Sequence, residues 1–208
     1  MNNRDQWNGW IEFHGVTEQQ LGDFEKSLQQ HVRFVREAGV ELKVPESQLA
    51  IHDNSKWTED EFPRYAANFH GKTSPVNAQR VADNMALAWL HHIHHNPHHW
   101  QFWMFPDGYS PKSSSLEKGI IFMPENYLRE MVADWMGASM AYTGSWDMLD
   151  WLNMNLKNVK LHSKSWLVLV KILEEIGYFV YIDTLANEYE VTKERRVVGK
   201  VKAIGYSS

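Results

Sequence analysis

Cysteine is absent from this chain of 208 residues. Disulfides and thiolate metal sites are therefore excluded, and a cytoplasmic setting is the expectation. The formal net charge of −5 gives no basic footprint, so we expect no duplex nucleic acid as a partner. No apolar run approaches the ~18 residues typical of a membrane span. The first ten residues also hold no apolar signal region, so no membrane partner is expected.

Histidine, by contrast, is abundant. The chain has 11 histidines, and six of them lie between positions 91 and 99. Hydrophobic residues make up 43% of the chain, which is enough for a sizeable core. The length predicts one domain over 1–208, with a metal-site core at about 17–142 and C-terminal helices and a tail at 143–208.

Apolar residues recur at helical spacing along most of the chain. Thr17 opens the capping-box sequence TEQQ, with Leu21, Phe24 and Leu28 behind it. Further helices are predicted near Pro45, after TEDE at 58–61, at about 75–95, at 124–142, and roughly at 145–157 and 163–177. Residues 104–123 are predicted as a loop. The fold class is therefore all-α, with a short strand pair or a loose tail after Thr184.

Several ionisable residues fall on inward faces of these helices. An α-helix turns about 100° per residue, which places His31 at the edge of an apolar stripe and His92 on an inner face. Asp134 lies in the middle of an apolar stripe, and the pair His52-Asp53 directly follows the apolar run 49–51. Buried charge is costly unless it is paired or holds a metal. Mixed nitrogen and oxygen donors without sulfur suit Mn, Fe, Co, Ni or Zn.

Simpler interpretations exist for each of these residues. His31 fits a core histidine bonded to backbone, Asp53 a cap, and Asp134 the partner of Arg129 or Arg80. The histidine cluster fits a helix end stacked on tryptophans. Five tryptophans are interpreted as core side chains rather than a stacking platform: Trp89, Trp100, Trp135, Trp146 and Trp151.

The order of these residues resembles a known superfamily. His31, then His52-Asp53, then Asp134 is similar to the metal site of the HD superfamily of metal-dependent phosphohydrolases, in which each element stands on a different helix. Lys56, in HDNSKW, fills the lysine of the extended H-D-x-x-K form. His92 and the double histidine His98-His99 resemble the two-metal branch of that superfamily.

The resemblance is closest to an uncharacterised HD-like family of bacteria and phages. It is carried by HD-x-SK-W…EF, AWLHHIHHNPHHW and MP…EMVADWMGAS. Cyclic-dinucleotide phosphodiesterases of the two-metal branch have a Gly-Tyr-Pro segment after the double histidine. Here the segment Asp107-Gly108-Tyr109-Ser110 resembles it only loosely, and the gap after the double histidine is longer.

The resemblance implies an HD-domain-like helical bundle that holds one or two divalent transition metals (Mn, Fe, Co, Ni or Zn). The implied metal ligands are His31, His52, Asp53, His92, His98, His99 and Asp134. Asp53 is the natural bridge between two metals. Among the other clustered histidines, His95 follows as a weaker candidate, and His91 and His94 are expected to be structural.

The implied activity is hydrolysis of a nucleotide or related phosphate ester through a metal-activated water. Asp53, Lys56 and Glu130 are the candidate catalytic residues. Lys56 would offset charge developing on the phosphoryl oxygens, and Glu130, one turn before Asp134, would orient a water.

Two other functions remain open at this point. The superfamily also contains mixed-valence di-iron oxygenases with a similar ligand set, and a non-catalytic metal- or nucleotide-binding module fits the same residues. The oligomeric state is left open, as is the role of residues 104–123 as a lid.

Overall fold

The structure is a computed structural model, and it describes residues 3–69, 83–106, 112, 116–183 and 188–195. Helices make up most of these residues. They are α1 (Asn3–His14), α2 (Glu18–Glu41), α3 (Glu46–Leu49), α4 (Phe62–Asn68), α5 (Asp83–His95), α6 (Glu125–Thr143), α7 (Leu149–Asn155) and α8 (Ser163–Glu175). Short 3₁₀ helices span Asn54–Trp57, Trp100–Trp103 and Leu156–Asn158. One antiparallel pair, β1 (Phe179–Asp183) and β2 (Glu188–Thr192), follows α8, with Phe179 opposite Thr192.

The hydrophobic core consists of two clusters that α2 joins. The first cluster packs α1, the first half of α2, α4 and α5 together. The second packs the remainder of α2 against α3, α6, α7, α8 and the strand pair. With 24 residues, α2 is about 36 Å long and reaches both clusters. Leu28 belongs to the first cluster and Val35 to the second, so His31 lies at the boundary between them.

A glycine permits the close packing of α2 against α6. A Cβ atom at Gly137 would lie 2.5 Å from Val35 Cγ2 and 2.7 Å from the Val35 backbone nitrogen. No side chain fits in that space, so the two helices approach as closely as their backbones allow. Val35 is one turn from His31, and Gly137 is one turn from Asp134. The crossing therefore brings these two candidate ligands together.

The turn after α3 places the pair His52-Asp53 at the same boundary. Leu49, buried at the end of α3, packs against Gly39 of α2. Asp53 then adopts a left-handed conformation with φ 59° and ψ 17° and starts the 3₁₀ helix Asn54–Trp57. This conformation is uncommon outside glycine, although aspartate and asparagine tolerate it best, and such strain concentrates at functional sites. The turn leaves Asp53 fully buried, with 0% exposure.

The predicted all-α class with a short strand pair is confirmed. The capping box at Thr17 is present. The backbone N–H of Gln20 donates to the Thr17 hydroxyl, and the backbone N–H of Thr17 donates to the Gln20 side chain. The helix predicted near Pro45 is only one turn, α3. The strand pair starts at Phe179, earlier than predicted, and α1 was not predicted at all. Of the helix predicted at about 75–95, residues 75–82 lie outside the described part of the chain.

The segment predicted as a loop contains no α-helix in its described part, which is 104–106, 112 and 116–123. Met104 and Glu117 form isolated bridges with Ile120. The segment Asp107-Gly108-Tyr109-Ser110 lies outside the described residues. In the described part of the chain, no helix combines the length and the apolar character that crossing a membrane requires.

Candidate metal centre

The seven predicted metal ligands come from four parts of the fold and meet around Asp53. Four of them form a first group of donor atoms that lie within 4.8 Å of one another: His31, His52, Asp53 and Asp134. In this group, His31 Nε2 lies 3.2 Å from Asp53 Oδ2 and 3.1 Å from Asp134 Oδ1. His52 Nε2 lies 3.6 Å from Asp53 Oδ2. These separations suit ligands around one small cation.

A second group of donor atoms shares Asp53 with the first. It consists of Asp53, His92, His98 and His99. Asp53 Oδ1 lies 3.4 Å from His92 Nε2 and 3.6 Å from His98 Nε2. The Nε2 atoms of His92 and His99 are 2.8 Å apart. The two oxygens of Asp53 therefore face different groups, which is the arrangement of a carboxylate that can bridge two metals.

Four buried donor atoms at this point have no hydrogen-bond partner. They are His31 Nε2, His52 Nε2, Asp53 Oδ1 and His98 Nε2. Nearly all buried polar atoms in folded proteins are paired, and each unpaired one costs about 1–3 kcal/mol. Imidazole nitrogens and carboxylate oxygens that converge without hydrogen-bond partners are the donor set of a transition-metal site. The residues present therefore fit one or two divalent metal ions.

The charges of the centre favour a cation. Burial opposes ionisation of Asp53, but Lys56, His52 and other nearby groups outweigh it and hold the pKa of Asp53 well below its usual value. Burial likewise opposes ionisation of Asp134, but the adjacent imidazoles of His31 and His52 outweigh it and hold its pKa well below the usual range. Both carboxylates are thus ionised at neutral pH.

The imidazoles divide into two kinds. Burial lowers the pKa of His92 well below its usual value and that of His99 to about 3, so both are neutral, as metal ligands must be. Burial also disfavours a charge on His52, but the carboxylates around it, Asp53 first, raise its pKa to about 10. The carboxylates that favour a proton on His52 would equally favour a divalent cation at the same place.

Lys56 extends from the Asp53 carboxylate to a cavity. Its Nζ atom donates a hydrogen bond to Asp53 Oδ2 at 2.5 Å. Its side chain is 16% exposed and lines the cavity described below. Lys56 therefore lies between Asp53 and the cavity, and its catalytic role stays a prediction.

Glu130 lies behind the ligands. Its Oε1 atom is 3.0 Å from His52 Nδ1 and 3.2 Å from His98 Nδ1, and its Oε2 atom accepts a hydrogen bond from Gln48 at 2.5 Å. It is not among the described residues that line the cavity. This geometry favours orientation of one histidine in each group over orientation of a water, so the catalytic role of Glu130 stays a prediction.

Glu61 contacts the second ring nitrogen of His92, as Glu130 does for His52 and His98. It was not predicted as a site residue. It is fully buried, and its two oxygens lie 2.7 Å from His91 Nδ1 and 2.9 Å from His92 Nδ1. Metal-bound histidines commonly donate their second ring N–H to a carboxylate. In the sequence, Glu61 is one of three acids in TEDE, which resembles a solvated helix start, and no local pattern marks it as buried.

Removing the charge of these two glutamates should weaken metal binding to different extents. We expect Glu130→Gln to weaken binding in both groups by about 10–100-fold, and Glu61→Gln to do so only in the group of His92. In Glu130→Gln the new NH₂ group would face either the ring N–H groups of the histidines or the side-chain nitrogen of Gln48. In both cases two hydrogen-bond donors would face each other. Titration of the metal-free proteins with Co²⁺ measures this.

The matched control for this titration is Glu46→Gln, which changes an exposed glutamate of α3. Its metal affinities should equal those of the unchanged protein. Equal affinities in all three variants would contradict an orienting role for Glu61 and Glu130.

The simpler interpretations fare differently among the described residues. The histidine cluster does contact a tryptophan, since the Trp89 ring centroid lies 5.7 Å from that of His92 and 5.2 Å from that of His99. The Arg129 guanidinium pairs with Glu125 and Glu175, not with Asp134, and Arg80 lies outside the described part. His95 is exposed and stacks on His91 with 3.8 Å between ring centroids. His91, His94 and His95 belong to neither donor group.

A cavity of about 840 Å³ opens from the centre toward α7. His31, His92, His99, Asp134 and Lys56 form its inner end. Four of the five tryptophans interpreted as core also line it: Trp89, Trp100, Trp135 and Trp151. All four are half-buried. The fifth, Trp146, is 37% exposed, so the interpretation as core holds only in part.

A family model for a family of unknown function (DUF5662) matches residues 20–175. That range includes every residue of both donor groups. No curated protein and no solved structure matches the chain significantly. The match covers well over half of the chain, and the chain therefore belongs to this family of unknown function, DUF5662.

Proposed function

We propose that this protein is a metal-dependent phosphohydrolase that acts on a nucleotide or related phosphate ester, in a cytoplasmic setting. One observation carries the proposal: two groups of His and Asp donor atoms share Asp53, and a lysine amino group meets them at the inner end of a cavity. The order of these residues along the chain, which resembles that of the HD superfamily, supports the same activity.

Seven residues would hold the metals. His31, His52 and Asp134 would bind one ion, His92, His98 and His99 the other, and Asp53 both. Divalent ions in such a site polarise a phosphoryl oxygen and make water a stronger nucleophile at neutral pH. The nitrogen-rich set favours Mn, Fe, Co, Ni or Zn over magnesium.

The reaction itself is a displacement at phosphorus. A water oxygen forms a bond to phosphorus, the ester P–O bond breaks, and the leaving oxygen ends with a proton from that water. The products are inorganic phosphate and an alcohol. Catalysis of such a transfer is mainly positioning and electrostatic stabilisation.

Lys56 supplies the positive charge at the cavity. Burial opposes a charge on its amino group, but Asp53 and Asp134 outweigh burial and raise the pKa of Lys56. The amino group therefore stays protonated at neutral pH and acts as a hydrogen-bond donor, not as a base. From its position beside Asp53 it can donate to a phosphoryl oxygen as negative charge develops there.

Loss of this amino group should slow turnover without removing the metals. We expect Lys56→Met to lower kcat by about 10²–10³-fold, the usual effect of losing one donor to a developing oxyanion. Metal content by elemental analysis should stay the same. Lys26→Met, a change of an exposed lysine on α2, is the control. Full activity in Lys56→Met would exclude its catalytic role.

The direct test incubates the protein and Mn²⁺, Fe²⁺, Co²⁺, Ni²⁺ or Zn²⁺ with a panel of nucleoside mono-, di- and triphosphates, cyclic nucleotides and sugar phosphates. It measures the release of phosphate and, by chromatography, of nucleosides and nucleotides. Turnover that chelation abolishes supports the proposal. No release from any ester by metal-loaded protein would overturn it. Bound iron with a visible absorption band and O₂ consumption would then indicate a di-iron oxygenase, and binding without turnover a non-catalytic module.

A further inference from the structure

The described lining of the cavity places its lysine at the end of the candidate metal ligands and further carboxylates at the far end. Among the described residues that line it, Lys56 is the only lysine or arginine. From Asp134 the lining follows α6 to Thr143, which is about 13 Å along the helix axis. Beyond it lie Asp147 and Asp150. Lys193 pairs with Asp147, so Asp150 contributes the net negative charge there.

The wall between these two ends is mixed, with tryptophans and aliphatic side chains beside polar residues of α6. The hydroxyl groups of Ser139 and Thr143 on α6 donate to backbone carbonyl groups. Trp135 and Trp151 stand with ring centroids 4.9 Å apart and planes tilted by 44°. Trp100, Leu149 and Val159 continue this wall. Aromatic side chains of this kind offer faces on which a planar base or ring can stack. They offer nothing that would neutralise a chain of phosphates.

We infer that the cavity takes phosphate esters with a single phosphoryl group whose alcohol carries a planar aromatic ring, such as nucleoside 5′-monophosphates, and discriminates against di- and triphosphates. The inference rests on the proposed function, because that function places the phosphoryl group at the metal end. A second and third phosphoryl group would lie along a wall that has no further lysine or arginine among its described residues and that leads to Asp150. Charged groups moved from water to such a wall without a partner bind weakly.

The test measures binding apart from turnover. Analogues of AMP, ATP and ribose 5-phosphate can bind without being hydrolysed if methylene replaces the ester oxygen and, in the ATP analogue, also both bridging anhydride oxygens. Calorimetry with Zn²⁺-loaded protein should show the AMP analogue binding at least tenfold more tightly than the ATP analogue. Asp150→Lys should narrow this difference, because it places a cation where the structure has an anion.

The stacking wall has its own variant. Trp151→Leu should weaken the AMP analogue by about tenfold, the usual scale of a lost base–aromatic contact, and leave the ribose 5-phosphate analogue unchanged. Trp151→Phe keeps a ring and should retain most of the binding. Trp166→Leu is the matched control, because Trp166 packs on Tyr189 and is not among the described residues of the cavity.

The outcomes separate the inference from the proposed function. If the ATP analogue binds as tightly as the AMP analogue, or Trp151→Leu weakens all three analogues alike, the inference is overturned, whether or not the protein hydrolyses esters. If the AMP analogue binds as expected but AMP releases no phosphate with any metal, the hydrolase proposal falls and the assignment of what the cavity binds stands.

Discussion

Replacing Asp53 with asparagine should remove metal from both donor groups and abolish turnover. Each carboxylate oxygen of Asp53 faces a different group, so one substitution takes a charged ligand from both. The loss of affinity should exceed the about 10–100-fold typical of changing a residue behind a ligand. Asparagine tolerates the left-handed backbone that Asp53 adopts, so the turn itself should be retained.

Elemental analysis and thermal unfolding together measure this result. The unchanged protein should lose melting temperature when a chelator is added, because a metal that binds only the folded state stabilises it. Asp53→Asn should show little bound metal and no chelator effect. Asp23→Asn, which changes an exposed aspartate of α2, should behave like the unchanged protein. Two metals retained in Asp53→Asn would exclude the bridging role.

Gly137→Ala should destabilise the fold and the metal centre together. The added methyl group would lie 2.5 Å from Val35 Cγ2 and 2.7 Å from the Val35 backbone nitrogen. Backbone atoms cannot rotate away as a flexible side chain does, so α2 and α6 must separate. Overpacking of this kind costs about 1–3 kcal/mol, and occasionally more. The separation should also move His31 away from Asp134 and reduce metal affinity.

Gly22→Ala is the matched control for this prediction. Gly22 lies on α2, the other helix of this contact, and a Cβ atom there would meet only Trp7, at an ordinary distance of 3.9 Å. Alanine is the better helix former, so this variant should be neutral or gain up to about 1 kcal/mol of stability. Urea unfolding of both variants and Co²⁺ titration give the comparison. Equal stability of the two variants would show that the α2–α6 contact tolerates a methyl group.

Helix periodicity was a reliable guide where a residue faces its own helix's apolar stripe. His31, His92 and Asp134 all lie on α-helices, and each is where its stripe placed it, facing the interior. The capping box at Thr17 is likewise a purely local feature, and it is present. These properties depend on residues within one or two turns, so the sequence carries them completely.

Local patterns failed where the partner is distant. Glu61 can be buried because its carboxylate pairs with His91 and His92, which are 30 and 31 residues away. Glu130 is paired with His52 across 78 residues. The helix α1 was missed, although its Trp10 is buried and stacks on Phe62. Neither the charge nor the spacing of these residues differs from that of surface residues.

The sequence by itself determined the helical class, the lack of thiolate ligands, and the imidazoles and carboxylates available to a metal. Tertiary structure alone decided that Asp53 turns its two oxygens toward different groups, that a glutamate stands behind each group, and that four tryptophans packed against the core also line a cavity. The reason is physical. Helical faces follow from local backbone geometry, whereas these contacts follow from how closely α2 and α6 cross and from the left-handed turn at Asp53.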